Sequence, residues 1–246
     1  MTHSTTQRTK TLAASAALFA TSVGLAGCIN ISADFDGDTL ADFDQGGGAP
    51  TEITLAGPDD LVLVQGDALN IEVSGDSDAI EALRFKRTGD GLAVGRDGDW
   101  GSSMSTATIT ITMPAPKEIN LAGSGDITAE ALANDAEISM AGSGKITLAQ
   151  IASDKLEISS AGSGQVQGAG TVDKLDINIF GSGDIDFAEL KADDVEINIA
   201  GSGDIDLMSD GQVEASIAGS GNINVTGDAT CESNAVGSGE LNCRPA

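Results

Sequence analysis

The chain of 246 residues has one histidine (His3), one tryptophan (Trp100) and no tyrosine, and aromatics make up only 3% of it. His3 lies ahead of an export signal and leaves with it, so the mature chain has no imidazole. That excludes Ser-His and Cys-His nucleophilic chemistry, histidine-ligated metals and a tyrosine acid. Basic residues are also scarce, with 12 Lys and Arg against 38 Asp and Glu and a formal charge of −26. Losing Arg8 and Lys10 with the signal takes the mature chain to −28. Such a charge repels nucleic acid and anionic head groups, and it favours cations, basic partners and solubility at high salt.

What is present begins at the N-terminus. Arg8 and Lys10 form a positive stretch, and Thr11 to Gly27 carries no charge and is mostly small and apolar. This run is short for a membrane span and reads as a signal peptide, residues 1–27. Leu25-Ala26-Gly27-Cys28 looks like a bacterial lipobox, which implies cleavage before Cys28, lipid (palmitate among it) on that residue and a membrane anchor. Ile29 stands where an Asp would mark inner-membrane retention, so the outer membrane of the cell envelope is favoured. Residues 28–50 read as an acidic, Gly-rich flexible tether. Asp34, Asp36 and Asp38 resemble the start of an EF-hand loop, but the closing Glu is missing.

The strongest pattern is Gly-Ser-Gly at 123–125, 142–144, 162–164, 181–183, 201–203, 219–221 and 237–239, a period of 18–20 residues. A fixed period of this size marks a solenoid whose coils bury their apolar faces only by stacking. Four residues before each triplet stand Ile119, Ile138, Ile158, Ile177, Ile197, Ala215 and Ser233. Four after its first Gly stand Ile127, Ile146, Val166, Ile185, Ile205, Ile223 and Leu241. Polar residues alternate with these at period two, as in strands with one face inward. The expected fold is all-β: a parallel β-helix, taken as right-handed, with two short strands per coil and an N-terminal capping strand region. The triplet reads as a structural corner in which Gly supplies φ > 0 and Ser bonds its own turn. The last coils lose large apolar residues, which makes the C-terminal end the weak one.

Residues 51–116 read as a first coil plus capping strands, and 117–246 as the regular coils. Glu52-Ile53-Thr54-Leu55-Ala56-Gly57 matches Glu118-Ile119-Asn120-Leu121-Ala122-Gly123. Between them come strands either side of Gly66-Asp67, a helical turn over 78–83, a hairpin about Gly89-Asp90-Gly91 and a strand over 106–113. Such a cap covers an otherwise open core and unpaired strand edges.

The phrase Glu-Ile-Asn-Leu-Ala-Gly-Ser-Gly-Asp-Ile, the strand ending in Ile111-Thr112-Met113-Pro114 and the lipoprotein signal together resemble the auto-transporter adhesin, head GIN domain family, from about Thr51 to Val225. The resemblance implies a β-helix head on or near the bacterial envelope. It supplies no catalytic residues, and none is assigned.

Five residues before each triplet the chain is acidic throughout: Glu118, Glu137, Glu157, Asp176, Glu196, Glu214 and Glu232, with Glu52 in the same place before Gly57. Stacked at ~4.8 Å, neighbouring carboxylates repel by roughly 0.9 kcal/mol in water. Relief comes from splayed side chains in salty water, from counter-ions or from partial protonation. The face is then either simply solvated or a weak Ca²⁺ or Mg²⁺ site. Asp184, Asp186, Asp204 and Asp206 form a second acidic group on two adjacent rungs, which could hold one weakly bound Ca²⁺; no other cofactor is expected. Cys231 and Cys243 point inward at the fraying end and can close the last coil as a disulfide. Trp100 reads as a loop tip or a cover for the cap, and Phe180 interrupts a column of alanines.

The composition and pattern favour a non-enzymatic envelope lipoprotein whose β-helix is a scaffold for surface interaction or adhesion. Its partners are a membrane, through the lipid, and a surface protein or glycan. The competing readings are a polysaccharide-active β-helix enzyme and a purely structural periplasmic lipoprotein. The first wants carboxylates near bases in an aromatic-lined groove, and the repeats hold only Phe180 and Phe187 with Lys145, Lys155, Lys174 and Lys191.

Overall fold

A computed structural model describes residues 35–98 and 105–245. The signal, Cys28, Asp34 and Trp100 lie outside the described residues.

The regular part is a stack of parallel coils. Strands β1 (Glu52–Gly57), β2 (Asp60–Gln65), β3 (Asn70–Gly75), β4 (Leu83–Thr88), β5 (Gly91–Arg96) and β6 (Ala107–Met113) make the first coil and its cap. Strands β7 (Glu118–Gly123), β8 (Asp126–Ala129), β9 (Asp135–Gly142), β10 (Lys145–Gly162), β11 (Gln165–Gly181), β12 (Asp184–Gly201) and β13 (Ile205–Gly219) continue the solenoid. Strands β14 (Asn222–Thr226), β15 (Thr230–Gly237) and β16 (Glu240–Arg244) complete it, giving about seven turns. The strands are longer than two short segments per coil. β10 to β13 run 15–18 residues and pass through a corner with a register shift, so hydrogen bonding continues around most of each turn.

Register is kept from coil to coil. Ile53 pairs with Ile119, and the column continues through Ile138, Ile158, Ile177 and Ile197 to Ala215 and Ser233. A second column runs Ile109, Leu61, Ile127, Ile146, Val166, Ile185, Ile205, Ile223 and Leu241. From Ile109 to Ile223 every member is at most 1% exposed. A stacked β-branched column suits this geometry, because stiff side chains pack on like side chains one rung away. The core thins at the last coil, where β15 is exposed along nearly its whole length.

The triplet glycines are required chiefly by stacking. The first glycine has positive φ, from 127° at Gly162 to 146° at Gly201, as expected. The third-place glycines, such as Gly144 and Gly183, do not. A Cβ on Gly183 would sit 2.8 Å from the carbonyl oxygen of Gly164 in the coil beneath, and on Gly144 it would overlap that of Gly125. Among the described residues the one hydrogen bond of a triplet serine hydroxyl reaches the neighbouring coil, Ser238 Oγ to Ser220 Oγ (3.1 Å), and the middle serine also ties coils through its backbone. Its backbone N–H donates to the first Gly carbonyl one coil back, as in Ser143 to Gly123 (2.9 Å) and Ser182 to Gly162 (2.8 Å), and not within its own turn. The corner is therefore a vertical hydrogen-bonded wall, and side chains there would push coils apart.

The cap explains why the first coil lacks the triplet. Gly57-Pro58-Asp59 occupies its place, with Asp59 where Gly125 stands one coil later. No regular coil lies beneath, so a side chain fits. Asp59 accepts from Arg96 Nε (2.7 Å) and Nη2 (2.5 Å) and from the Ala107 N–H (2.7 Å), and Arg96 also donates to the Ser105 carbonyl (2.8 Å). Both side chains are 1% exposed, so each charge depends on the other. The helical turn appears as α1 (Ser77–Ala82), capped by the Asp76 carboxylate, and β4 and β5 form the hairpin. The strands either side of Gly66-Asp67 do not pair together. β6 inserts between them, parallel to β2 and antiparallel to β3.

The expected tether needs correction over its second half. Residues 35–50 are docked on the cap. Asp38 exchanges backbone hydrogen bonds with Phe85 (2.9 and 2.8 Å), and Gly95 has no Cβ where the Phe35 ring lies. Phe43 is buried 5.9 Å from the Phe85 ring, with the Arg87 guanidinium over it. Arg87 also donates to the carbonyls of Gly46 and Gly48. Sparse aromatics in an acidic, Gly-rich stretch supply enough burial to hold it down.

Candidate binding face

On the sheet that precedes the triplets, outward residues fall into three columns. The first is the acidic ladder. Glu52, Glu118, Glu137, Glu157, Asp176, Glu196, Glu214 and Glu232 are register partners in unbroken succession. Two residues along stand Asn120, Ser139, Ser159, Asn178, Asn198, Ser216 and Asn234, where Asn198 Nδ2 donates to Asn178 Oδ1 (3.3 Å). Two further along stand Ala122, Ala141, Ala161, Phe180, Ala200, Ala218 and Val236. The amide and hydroxyl column was readable by the same counting from the triplet.

Relief of the ladder is local. Lys155 and Lys174 pair with each other across β10 and β11, two residues upstream of the acids. Lys155 Nζ lies 3.1 Å from Glu157 and 3.5 Å from Asp176, and Lys174 Nζ lies 3.5 Å from Asp176. The Glu157 hydrogen bond, partly opposed by burial, holds the Lys155 ammonium above its usual range. Glu137 is pushed up from its ordinary value, first by burial and then by Glu118 and Glu157, with Lys155 opposing. The lysines were visible in the sequence, but their assignment to the ladder needs the neighbouring rung.

The four aspartates do not assemble the expected calcium site. Asp184 Oδ1 accepts the Asp204 N–H (3.1 Å), and Asp204 Oδ1 accepts the Asn222 N–H (2.8 Å) and side-chain amide (3.1 Å). Asp206 Oδ1 accepts from Asn224 Nδ2 (2.9 Å) and Asp186 Oδ1 from the Ala188 N–H (3.3 Å). Asp184, Asp204 and Asp206 thus link their coil to the next, Asp186 bonds within its own strand, and the four do not converge as an ion site. Among the described residues no three Asp, Glu, His or Cys side chains form a metal-holding group. Asp36 and Asp38 likewise serve the cap, Asp36 lying 3.5 Å from Lys86. Cys231 and Cys243 are joined in a disulfide across the last coil.

The apolar column is flat over its alanines and rises at two points. Phe180 is 53% exposed and Val236 75%, with Ala200 and Ala218 on the two rungs between. The result is an open notch of about 240 Å³, bordered by Asn198 and Asn234.

Residues 49–229 match the family described as "Putative auto-transporter adhesin, head GIN domain". The chain belongs to that family. Its fold is shared by solved structures of this kind. A putative adhesin from Bacteroides fragilis superposes with a TM-score of 0.70 at 22% identity, covering 80% of this chain and 93% of that one. A putative lipid binding protein from Parabacteroides distasonis gives 0.63 at 28% identity over 80% and 93%. A putative adhesin from Parabacteroides merdae gives 0.59 at 19% over 80% and 92%. No curated protein matches the chain. The family description is that of an adhesin and names no reaction. Among the described residues no helix is long and apolar enough to cross a membrane.

Proposed function

We propose that this head GIN domain protein is a non-enzymatic, lipid-anchored scaffold of the cell envelope, and that the three-column face makes its surface contacts. The observation that carries the reading is the face itself. Seven rungs, from Glu118 to Glu232, present an acid, an amide or hydroxyl and an apolar side chain in fixed register, an extended surface that a solenoid displays without rearrangement. Family membership agrees with adhesion. The lipobox ending in Cys28 supports the anchor, and Ile29 supports the outer membrane.

Two measurements on cells test this. Protease shaving of intact cells degrades the protein if it is surface-displayed, and a chain fully protected until the outer membrane is opened removes the surface role. Radiolabelled palmitate enters the wild type and not Cys28→Ser. An unlabelled wild type ends the anchor.

A further inference from the structure

The acidic ladder is neutralised in its middle, and what distinguishes the rungs that follow is the apolar notch beside them. Lys155 and Lys174 serve Glu157 and Asp176. On the following rungs their place is taken by Asp194, Gln212 and Thr230. Among the described residues Glu196, Glu214 and Glu232 have no ion-pair partner. These are the rungs that carry the apolar notch. Reading outward, four adjacent rungs run Asp176-Asn178-Phe180, Glu196-Asn198-Ala200, Glu214-Ser216-Ala218 and Glu232-Asn234-Val236. Unneutralised charge and exposed apolar surface therefore coincide on one patch, and among the described residues neither is matched.

We propose that this patch docks an extended, basic amphipathic polypeptide segment, seating an apolar side chain between Phe180 and Val236 and basic side chains over Glu196 and Glu214. This deepens the scaffold reading above and rests on it. The acid column lies four residues from the apolar column, ~13 Å at strand rise. A partner strand with an apolar and a basic residue four apart presents both on one side, because side chains alternate with period two. A polar residue midway meets Asn198 or Ser216. The negative field concentrates such a partner, while the notch gives it a fixed position. A neutral glycan leaves the carboxylates unmatched, and an anionic lipid surface is repelled by a chain of net charge −26.

The test is fluorescence anisotropy with the full chain in neutral detergent. The probe is a labelled peptide of tandem Lys-Thr-Asn-Thr-Leu-Thr blocks, with control peptides carrying Ser for Leu or Gln for Lys. Binding is expected to weaken ~10-fold or more between low salt and 0.5 M salt. It is expected to weaken ~10-fold in Phe180→Ser, Val236→Ser and the double variant Glu196→Gln/Glu214→Gln. Glu118→Gln/Glu137→Gln, at the other end of the ladder, is expected to bind as wild type. Melting curves identify any variant that fails to fold, and the two control peptides test the same two contacts on unaltered protein. No binding, equal binding of the control peptides, or equal loss from both ends of the ladder overturns the proposal, the last reducing it to attraction by net charge. So does binding of neutral oligosaccharides in the notch without peptide binding. Protease shaving reads the scaffold reading separately, so peptide failure with surface exposure intact condemns only the docking site.

Discussion

Replacing Glu137 by Gln is expected to stabilise the protein at neutral pH, although it removes a charge from the surface of an acidic ladder kept through eight rungs. Glu118 and Glu157 flank Glu137 one rung to either side. At ~4.8 Å each neighbour costs ~0.9 kcal/mol in water, and salt near 0.15 M cuts this by about half. The two together give at most about 1 kcal/mol, because solvent screens this surface group and Lys155 attracts the same carboxylate. For a domain of this size the gain corresponds to roughly 2–4 °C in Tm. Its pH dependence follows from the raised pKa of the folded carboxyl. The native state holds a proton more readily than the unfolded chain, so wild-type stability falls as pH rises from the ordinary value of 4.5 through the folded one. The advantage of Glu137→Gln is then full above that window and absent below it, where the wild-type carboxyl is protonated in both states. Glu157→Gln is the internal control. It removes similar repulsions but also the 3.1 Å contact with Lys155, so its net effect is near zero. Differential scanning calorimetry at pH 7 and pH 3.5, with and without 1 M salt, reads all of this. A Glu137→Gln that melts at or below wild type at pH 7, or keeps its advantage at pH 3.5, would refute the electrostatic account.

Three further outcomes are expected. Gly144→Ala, with its Cβ against the Gly125 carbonyl, loses about 3 kcal/mol in urea unfolding, whereas Gly48→Ala, with open space around it, is unchanged. Asp59→Leu strands the buried Arg96 guanidinium and costs ~3–5 kcal/mol, and adding Arg96→Met restores most of it, which a double-mutant cycle measures. Reducing the Cys231–Cys243 disulfide, which spans 12 residues of sequence, lowers the stability of the last coil by about 3 kcal/mol, seen as faster hydrogen exchange in β15 and β16 before the rest of the stack.

The coils were legible because a solenoid writes its geometry into the sequence as period. Counting from each triplet placed Ile158, Ile177 and Ile197 in one column, and the register pairs them. What escaped depends on distances between rungs or on contacts outside the period. The third-place glycines carry no backbone signature, and their need appears only when the Gly125 carbonyl is seen under Gly144. The insertion of β6 between β2 and β3 leaves no local mark, since all three alternate alike. Docking of residues 35–50 rests on Phe35 and Phe43, two rings in a stretch whose composition otherwise reads as linker. The aspartates near 184 and 204 looked like ion ligands because composition shows carboxylates, whereas the amides that engage them lie one coil away. The buried pair did leave a trace, because Asp59 breaks the triplet at the one coil with nothing regular beneath it.

The glycine wall also bears on how such a chain can change length. Each interior coil meets its neighbour through the same carbonyl-on-glycine contact, from Gly123 under Gly142 to Gly201 under Gly219. A duplication or deletion of one whole interval between triplets therefore rebuilds every interface it cuts. A partial interval breaks register at once and throws Cβ atoms onto carbonyls. Growth of the head is thereby quantised in whole turns of about 5 Å, and the reach of its acidic edge can be altered by recombination without redesign of the core.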